Sequence, residues 1–224
     1  MSTSKLKEIE ELVKKSKYEE ALAELDPILA KNAYDLPYLS LRAKVLYKLK
    51  QFDKAIIDYT QLINLAPEDL EHIADRGLCY HMNGESDLAL ADFDSVIKKD
   101  LDNPYWYACR AFIKDYIKDY EGSLEDYEKV LELDPDDAIA LNNKGLVEEK
   151  LGYFTKAQQS FKVSDELQGI DLEKEIGHLQ IPVEDDAEQP QPTGATHYID
   201  TLKKLATSSE ERKAFFAFLF KSKK

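Results

Sequence analysis

The sequence predicts an all-α fold in which five pairs of antiparallel helices stack as a solenoid. Three observations predict it. The 224-residue chain repeats with a period of 34 residues, without insertion or deletion. Apolar residues recur every three or four positions within each repeat, and small residues recur at two fixed positions. The repeats begin at Ser2, Leu36, Leu70, Pro104 and Ala138.

Each repeat contains two helical patterns of about fourteen residues, so we expect one helical hairpin per repeat. Small residues at the eighth and twentieth positions allow the two backbones to cross closely, and a large residue at the twenty-fourth fills the space beside them. The eighth position holds Ile9, Ala43, Gly77, Ala111 and Gly145. The twentieth holds Ala21, Ala55, Ala89, Ser123 and Ala157. The twenty-fourth holds Leu25, Tyr59, Phe93, Tyr127 and Phe161.

Turn residues separate the predicted helices. Gly84 and Gly152 are expected between the two helices of their repeats, because glycine readily adopts the backbone conformation of a tight turn. Pro135 is expected where the fourth repeat ends and the fifth begins. Asp134 and Asp136 flank this proline and are expected to cap the adjoining helices.

These features resemble the tetratricopeptide repeat family, whose pattern has small residues at the eighth and twentieth positions, a large aromatic residue at the twenty-fourth and a proline near the end. The resemblance covers residues 2–171 and implies a right-handed superhelix. Trp106 lies one place before the family's tryptophan, and the third and fifth repeats have Leu101 and Gly169 where the proline belongs. Ile9 marks the first repeat as an atypical capping unit.

The rest of the chain divides by composition. Leu172, Ile176 and Leu179 have helical spacing and predict a capping helix that extends the repeat domain to residue 181. Residues 182–196 are acidic and rich in Pro and Gln, which predicts a linker. Residues 197–224 predict short helices that end in a Phe-rich run. The predicted repeats occupy 2–35, 36–69, 70–103, 104–137 and 138–171.

Charge constrains the partner and the location. The net charge of −14 repels phosphate backbones and anionic headgroups, so we expect no nucleic-acid partner, and a membrane is not favoured. No apolar stretch reaches the roughly 20 residues of a membrane span, and the first 15 residues are charged rather than signal-like. These features predict a cytoplasmic protein.

The sequence contains no recognisable catalytic motif. The four histidines are scattered, Cys79 and Cys109 form no close pair, and there is no metal-ligand spacing or glycine-rich phosphate loop. We therefore predict no catalytic residue, no metal site, no cofactor and no enzymatic activity.

The resemblance implies a binding groove lined by the second, fifth, ninth, twelfth and thirteenth positions of each first helix. An apolar groove of this kind favours a protein or peptide partner with an apolar or amphipathic segment. Packing between neighbouring helices is the alternative role for each residue. The predicted groove residues are Tyr47, Leu78, His81, Met82, Tyr105, Phe112, Tyr116 and Leu146.

Some members of the family grip the acidic C-terminus of heat-shock chaperones through Lys, Asn and Arg side chains. The pattern here does not favour such a carboxylate clamp. The corresponding residues of one choice of three repeats are Ser40, Lys44, Asp75, Tyr105 and Cys109.

The Phe-rich run is a candidate ligand in its own right, because such a run is unfavourable in water. It could dock on its own solenoid, dock on a second copy to form a homodimer, or insert at a membrane surface beside the terminal lysines. The predicted function is a non-catalytic adaptor, scaffold or assembly factor, with a peripheral membrane scaffold or self-association as the alternatives. The possible docking residues are Phe215, Phe216, Phe218, Leu219 and Phe220.

Overall fold

The computed structural model describes residues 2–169, which form ten helices and contain no strand. The all-α helical-repeat prediction is confirmed. The predicted capping helix, linker and C-terminal segment lie outside the described residues. The helices are α1 Ser2–Lys14, α2 Tyr18–Lys31, α3 Leu36–Lys48, α4 Phe52–Leu65, α5 Leu70–Met82, α6 Ser86–Lys99, α7 Pro104–Tyr116, α8 Tyr120–Leu133, α9 Ala138–Lys150 and α10 Phe154–Gln168.

The helices belong to two compact units, one comprising residues 1–106 and the other beginning at Tyr107. In the first unit each helix packs on the next, α3 on α4, α4 on α5 and α5 on α6. In the second unit α8 packs on α9 and α9 on α10. A helix therefore contacts both its partner in the hairpin and the first helix of the following repeat, as expected of stacked hairpins.

The small residues lie where the helices of a hairpin approach closely. Ala55, Ala89 and Ala157 are buried, as the pattern predicts. A methyl group added at Gly145 would lie 2.5 Å from Cε1 of Phe161, the large residue at the twenty-fourth position of the same repeat. Only a residue without a side chain fits there while Phe161 keeps its place.

A left-handed residue ends the first helix of every repeat. The fifteenth position has φ between 57° and 86° in all five repeats. In each, the next residue donates its N–H to the carbonyl five positions back, for example Asp119 to Lys114 at 2.9 Å. The two glycine turns are confirmed, whereas the same conformation at three other residues was not predicted. The five residues are Ser16, Lys50, Gly84, Lys118 and Gly152.

Asx side chains cap the N-termini of three first helices. Asp69 accepts from the N–H of Glu71 at 3.1 Å, and Asn103 accepts from Tyr105 at 3.1 Å. In the fifth repeat Asp137 accepts from two backbone N–H groups at 2.9 Å each. The expectation that Asp136 caps α9 is wrong by one residue, because the cap must precede the first helical residue, Ala138.

Candidate functional site

All eight predicted groove residues lie on first helices, but the two units divide them. The first unit holds Tyr47 on α3, Leu78, His81 and Met82 on α5, and Tyr105 at the start of α7. The second unit holds Phe112 and Tyr116 on α7 and Leu146 on α9. Each unit therefore has its own first-helix surface.

Exposure separates the predicted residues into different roles. Met82 is 45% exposed and Tyr116 is 66% exposed, so both present apolar surface to solvent. Leu78 and His81 are only 7% and 8% exposed and mainly pack inside the repeats. The other four predicted residues are half-buried. The packing role that we kept as an alternative thus applies to Leu78 and His81.

His81 connects the two helices of the third repeat. Its Nδ1 lies 3.3 Å from Oγ of Ser86, the first residue of α6. Burial lowers the pKa of His81, which favours the neutral imidazole at pH 7. A neutral, buried ring is suited to holding α5 against α6 rather than to binding a charged ligand.

Asp75 is the polar group beneath the first-helix surface of the first unit. Burial raises its pKa, and the effect is opposed by the positive charge of Lys44 and by a hydrogen bond with the Tyr59 side chain. The corresponding residue of the fifth repeat is Asn143, which has the same relation to Tyr127. A tyrosine at the twenty-fourth position thus pairs with a polar residue at the sixth position of the next repeat.

In the first unit, Tyr47 lies beside positive charge. The Tyr47 ring meets Phe52 edge-on at 5.6 Å between centroids, and Nζ of Lys48 lies 5.9 Å from the Tyr47 ring. Lys44 lies about one turn earlier on the same helix and is exposed. The surface of α3 thus combines an aromatic ring with two lysines.

In the second unit, an ion pair joins the two first helices. Nζ of Lys150 on α9 lies 2.6 and 2.7 Å from the two carboxylate oxygens of Asp115 on α7. Tyr116 follows Asp115, while Phe112 lies about one turn before Tyr116. Burial raises the pKa of Glu149, which adjoins Lys150. We call the surface comprising Phe112, Tyr116, Leu146, Glu149 and the Asp115–Lys150 pair the α7–α9 surface.

In the second, third and fourth repeats, an ion pair that the sequence analysis did not predict fixes the first helix on the second. Arg42 binds Asp58, Arg76 binds Asp92 and Arg110 binds Asp126 through hydrogen bonds of 2.6 to 2.9 Å. Arginine at the seventh position and aspartate at the twenty-third recur at the 34-residue period, so a search of the polar positions could have found them.

The fifth repeat replaces this pair with a different arrangement. Ser160 occupies the aspartate position and donates to Oε2 of the fully buried Glu148 at 2.7 Å. Nζ of Lys144, at the arginine position, lies 2.8 Å from Oε1 of Glu148. The carboxylate thus comes from the first helix instead of the second, and the buried charge is still compensated.

The described residues show no site for metal chemistry and no membrane span. Within residues 2–169 no group of three or more His, Cys, Asp or Glu side chains could hold a metal ion. In the same part of the chain no helix is both long and apolar enough to cross a bilayer.

Two family models match the chain. The model described as tetratricopeptide repeat matches residues 37–69, and the model described as TPR repeat matches residues 117–152. These matches correspond closely to the second hairpin and to the span from the end of α7 through α9.

Curated relatives share part of the chain. The Hsp70-Hsp90 organizing protein of Triticum aestivum is 26% identical over 137 residues, which cover 61% of this chain and 22% of the relative. The RNA polymerase II-associated protein 3 of Xenopus tropicalis is 27% identical over 135 residues, which cover 60% and 20%. The chain therefore spans about a fifth of the length of these relatives.

Solved structures show the same fold. MamA of Desulfovibrio magneticus RS-1 has a TM-score of 0.67 at 18% identity, covering 75% of this chain and 94% of that one. YrrB, described as a TPR protein with an unusual peptide-binding site, has a TM-score of 0.60 at 15% identity, covering 75% and 87%. With the 34-residue period and the ten paired helices of residues 2–169, the two family-model matches identify tetratricopeptide repeats in this chain, and the solved structures have the same fold.

Proposed function

We propose that this protein is a non-catalytic adaptor that binds an apolar or amphipathic segment of a protein partner on its first-helix surfaces. The observation that carries the proposal is the exposure of Met82 and Tyr116, which both occupy the thirteenth position of their repeats. The second and fifth repeats have Lys48 and Lys150 at this position. Large apolar groups thus occupy a position at which other repeats have a lysine.

The chemistry of these surfaces favours an amphipathic ligand. Covering an exposed Met or Tyr side chain contributes about 1.5–3 kcal/mol when it is fully buried, so a few such contacts supply most of a micromolar affinity. The charges of Lys44, Lys48 and Glu149 lie beside the apolar groups and would orient the partner more than hold it.

Relatives support a protein partner without identifying it. The Hsp70-Hsp90 organizing proteins are named for the chaperones they organise, and YrrB is described as having a peptide-binding site. At the positions of a carboxylate clamp this chain offers one basic residue, Lys44, together with the half-buried Asp75 and the fully buried Cys109. An acidic C-terminal peptide is therefore not the ligand that we propose.

We place this activity in the cytoplasm. Cys79 and Cys109 are both buried, and buried thiols are common in proteins kept in a reducing compartment.

Photo-cross-linking tests the proposal with matched controls. A benzoylphenylalanine would be introduced at Met82 and Tyr116 on first helices, and at Leu88 and Ile57 on second helices, which are 46% and 66% exposed. We expect one partner to be captured from residue 82, residue 116 or both, and not from residues 88 or 57. Equal capture at all four sites, or capture only from the second helices, would overturn the proposal.

A further inference from the structure

The sequence beyond Gly169 contains a segment that complements the repeats in charge. Residues 201–224 carry seven basic and two acidic side chains, and they include the apolar run Ala214–Phe220. The described part, residues 2–169, carries 34 acidic and 22 basic side chains. A cationic segment with an apolar run is therefore attached to a strongly acidic body.

The second unit has a surface suited to such a segment. Its α7–α9 surface exposes Tyr116, with Phe112 and Leu146 half-buried nearby. Glu149 supplies an acidic group at the same place, whereas Asp115 and Lys150 neutralise each other in their ion pair. Residues 107–169 contain 14 acidic and 8 basic side chains. Apolar contact and attraction between opposite charges thus coincide on this surface.

The first unit is a poorer receptor for the same segment. Lys44 and Lys48 are both exposed on α3, next to Tyr47. They would repel the lysines that follow the apolar run, Lys221, Lys223 and Lys224. Residues 2–106 and residues 107–169 carry the same excess of six acidic side chains, so the local charges of Lys44 and Lys48, rather than the net charge of a unit, favour the α7–α9 surface.

We propose that the segment Ala214–Phe220 docks on the α7–α9 surface of its own chain, so that a partner must displace it. The inference rests on the proposed function, because it assigns a regulator to the surface that binds the partner. The docked segment would compete with the partner for this surface. The apparent dissociation constant for the partner would equal the intrinsic one divided by the fraction of molecules whose surface is unoccupied.

The length of the intervening chain favours its own surface over that of a second copy. Forty-five residues separate Gly169 from Phe215, and a flexible chain as long as the predicted linker alone, residues 182–196, spans roughly 20 Å on average. The first helices have 13 residues each, which makes them about 20 Å long. A tether of this reach gives an effective concentration on the order of millimolar, well above that of free copies in dilute solution.

Paramagnetic relaxation enhancement tests the docking in the full-length chain. A nitroxide would be attached at Ser222→Cys, with identically treated wild type as the control for the buried native cysteines, Cys79 and Cys109. We expect amide signals near residues 112–116 and 146–150 to lose intensity at least twofold, and those of α2 and α4 to stay unchanged. High salt should weaken the effect, because it screens charge attraction.

Variants and isotope mixing distinguish the possible occupants. The double variant Phe216→Asp/Phe218→Asp, or Tyr116→Asp, should restore the lost intensity, whereas Ile57→Asp should not. A mixture of nitroxide-labelled chain with isotope-labelled, unmodified chain should show no loss. Loss in that mixture would identify a second copy as the receptor and overturn the inference, as would an undiminished spectrum of the labelled chain.

The photo-cross-linking experiment tests the proposed function independently of the docking of the segment. Photo-cross-linking at residue 116 reports the partner, whereas the nitroxide reports only the segment. If both ideas hold, Phe216→Asp/Phe218→Asp should raise partner capture severalfold. Signal loss at the α7–α9 surface without any partner capture would support the docking and count against the proposed function. Partner capture that Phe216→Asp/Phe218→Asp leaves unchanged would count against the docking.

Discussion

Arg76 of α5 grips Asp92 of α6 through two parallel hydrogen bonds, with Nε 2.9 Å from Oδ2 and Nη2 2.7 Å from Oδ1. This two-pronged geometry fixes direction as well as distance, because the guanidinium plane matches the carboxylate. The aspartate is almost completely buried, and the arginine supplies its counter-charge. The pair therefore fixes the orientation of α5, and of the surface that it carries, relative to α6.

Removing one partner of this pair should destabilise the protein strongly. Arg76→Leu leaves the Asp92 carboxylate buried without its counter-charge, and we expect the free energy of unfolding to fall by about 2–4 kcal/mol. The double variant Arg76→Leu/Asp92→Leu should recover most of that loss. Urea denaturation measures both. A double variant as unstable as the single one would show that shape, not charge, is what the site requires. The exposed pair Lys14–Glu11 is the control, and Lys14→Leu should leave the curve unchanged.

Glycine should stabilise turns that now contain lysine. Lys118 has φ of 68°, which an L-residue with a side chain adopts at a cost. We expect Lys118→Gly to raise the free energy of unfolding by about 0.5–1 kcal/mol. Lys54→Gly, inside α4, is the opposite control and should lower it by about 1 kcal/mol. A loss of stability in Lys118→Gly would mean that the lysine side chain stabilises the turn more than its backbone strains it.

Asp75→Asn should make stability less sensitive to pH. Burial raises the pKa of Asp75, so the protonated form favours the folded state, and its contribution is lost as pH rises through the raised pKa. We expect Asp75→Asn to be more stable than wild type at pH 7, with the difference shrinking as pH falls toward 4. Asn143→Asp is the reverse substitution at the same position of the fifth repeat, and it should destabilise the protein at pH 7. Thermal melts from pH 4 to 7 would test both, and parallel curves for Asp75→Asn and wild type would contradict the expectation.

Tyr116→Asp should impair binding without unfolding the protein. The side chain is largely exposed, so its loss changes the core little, but a carboxylate cannot replace the apolar contact. We expect at least tenfold weaker binding of the captured partner in fluorescence anisotropy, and a melting temperature within about 2 °C of wild type. Ile57→Asp, equally exposed on α4, is the control. Equal losses of affinity in both variants would indicate a general charge effect.

The architecture could be predicted because its determinants are local and periodic. Gly145 had to be small because Phe161 lies against it, and both positions recur every 34 residues. The left-handed turn at Lys118 could not be recognised, because lysine carries no conformational signal comparable to that of glycine. The Asp137 cap was misplaced by one residue because three acidic residues surround Pro135.

The candidate surface was harder to predict than the fold. Leu78 and Met82 both belong to the arc of α5 that the family pattern assigns to ligand binding, yet one is buried and the other exposed. Helical spacing fixes the direction of a side chain, but the depth to which neighbouring helices cover it depends on tertiary packing. Polar pairs such as Arg42 and Asp58 could not be recognised from the apolar and small residues that define the repeat.

Arg76 also reaches backwards along the chain. Its Nη1 donates to Oγ1 of Thr60 on α4 at 3.2 Å, just as Arg42 reaches Asp26 on α2 at 3.2 Å. One guanidinium thus binds α4, α5 and α6 together across the boundary between two repeats. If a single hairpin within residues 1–106 unfolded, a charged group of the neighbouring hairpin would lose its partner. We therefore expect hydrogen exchange to show that this part of the chain opens as one cooperative block, rather than one hairpin at a time.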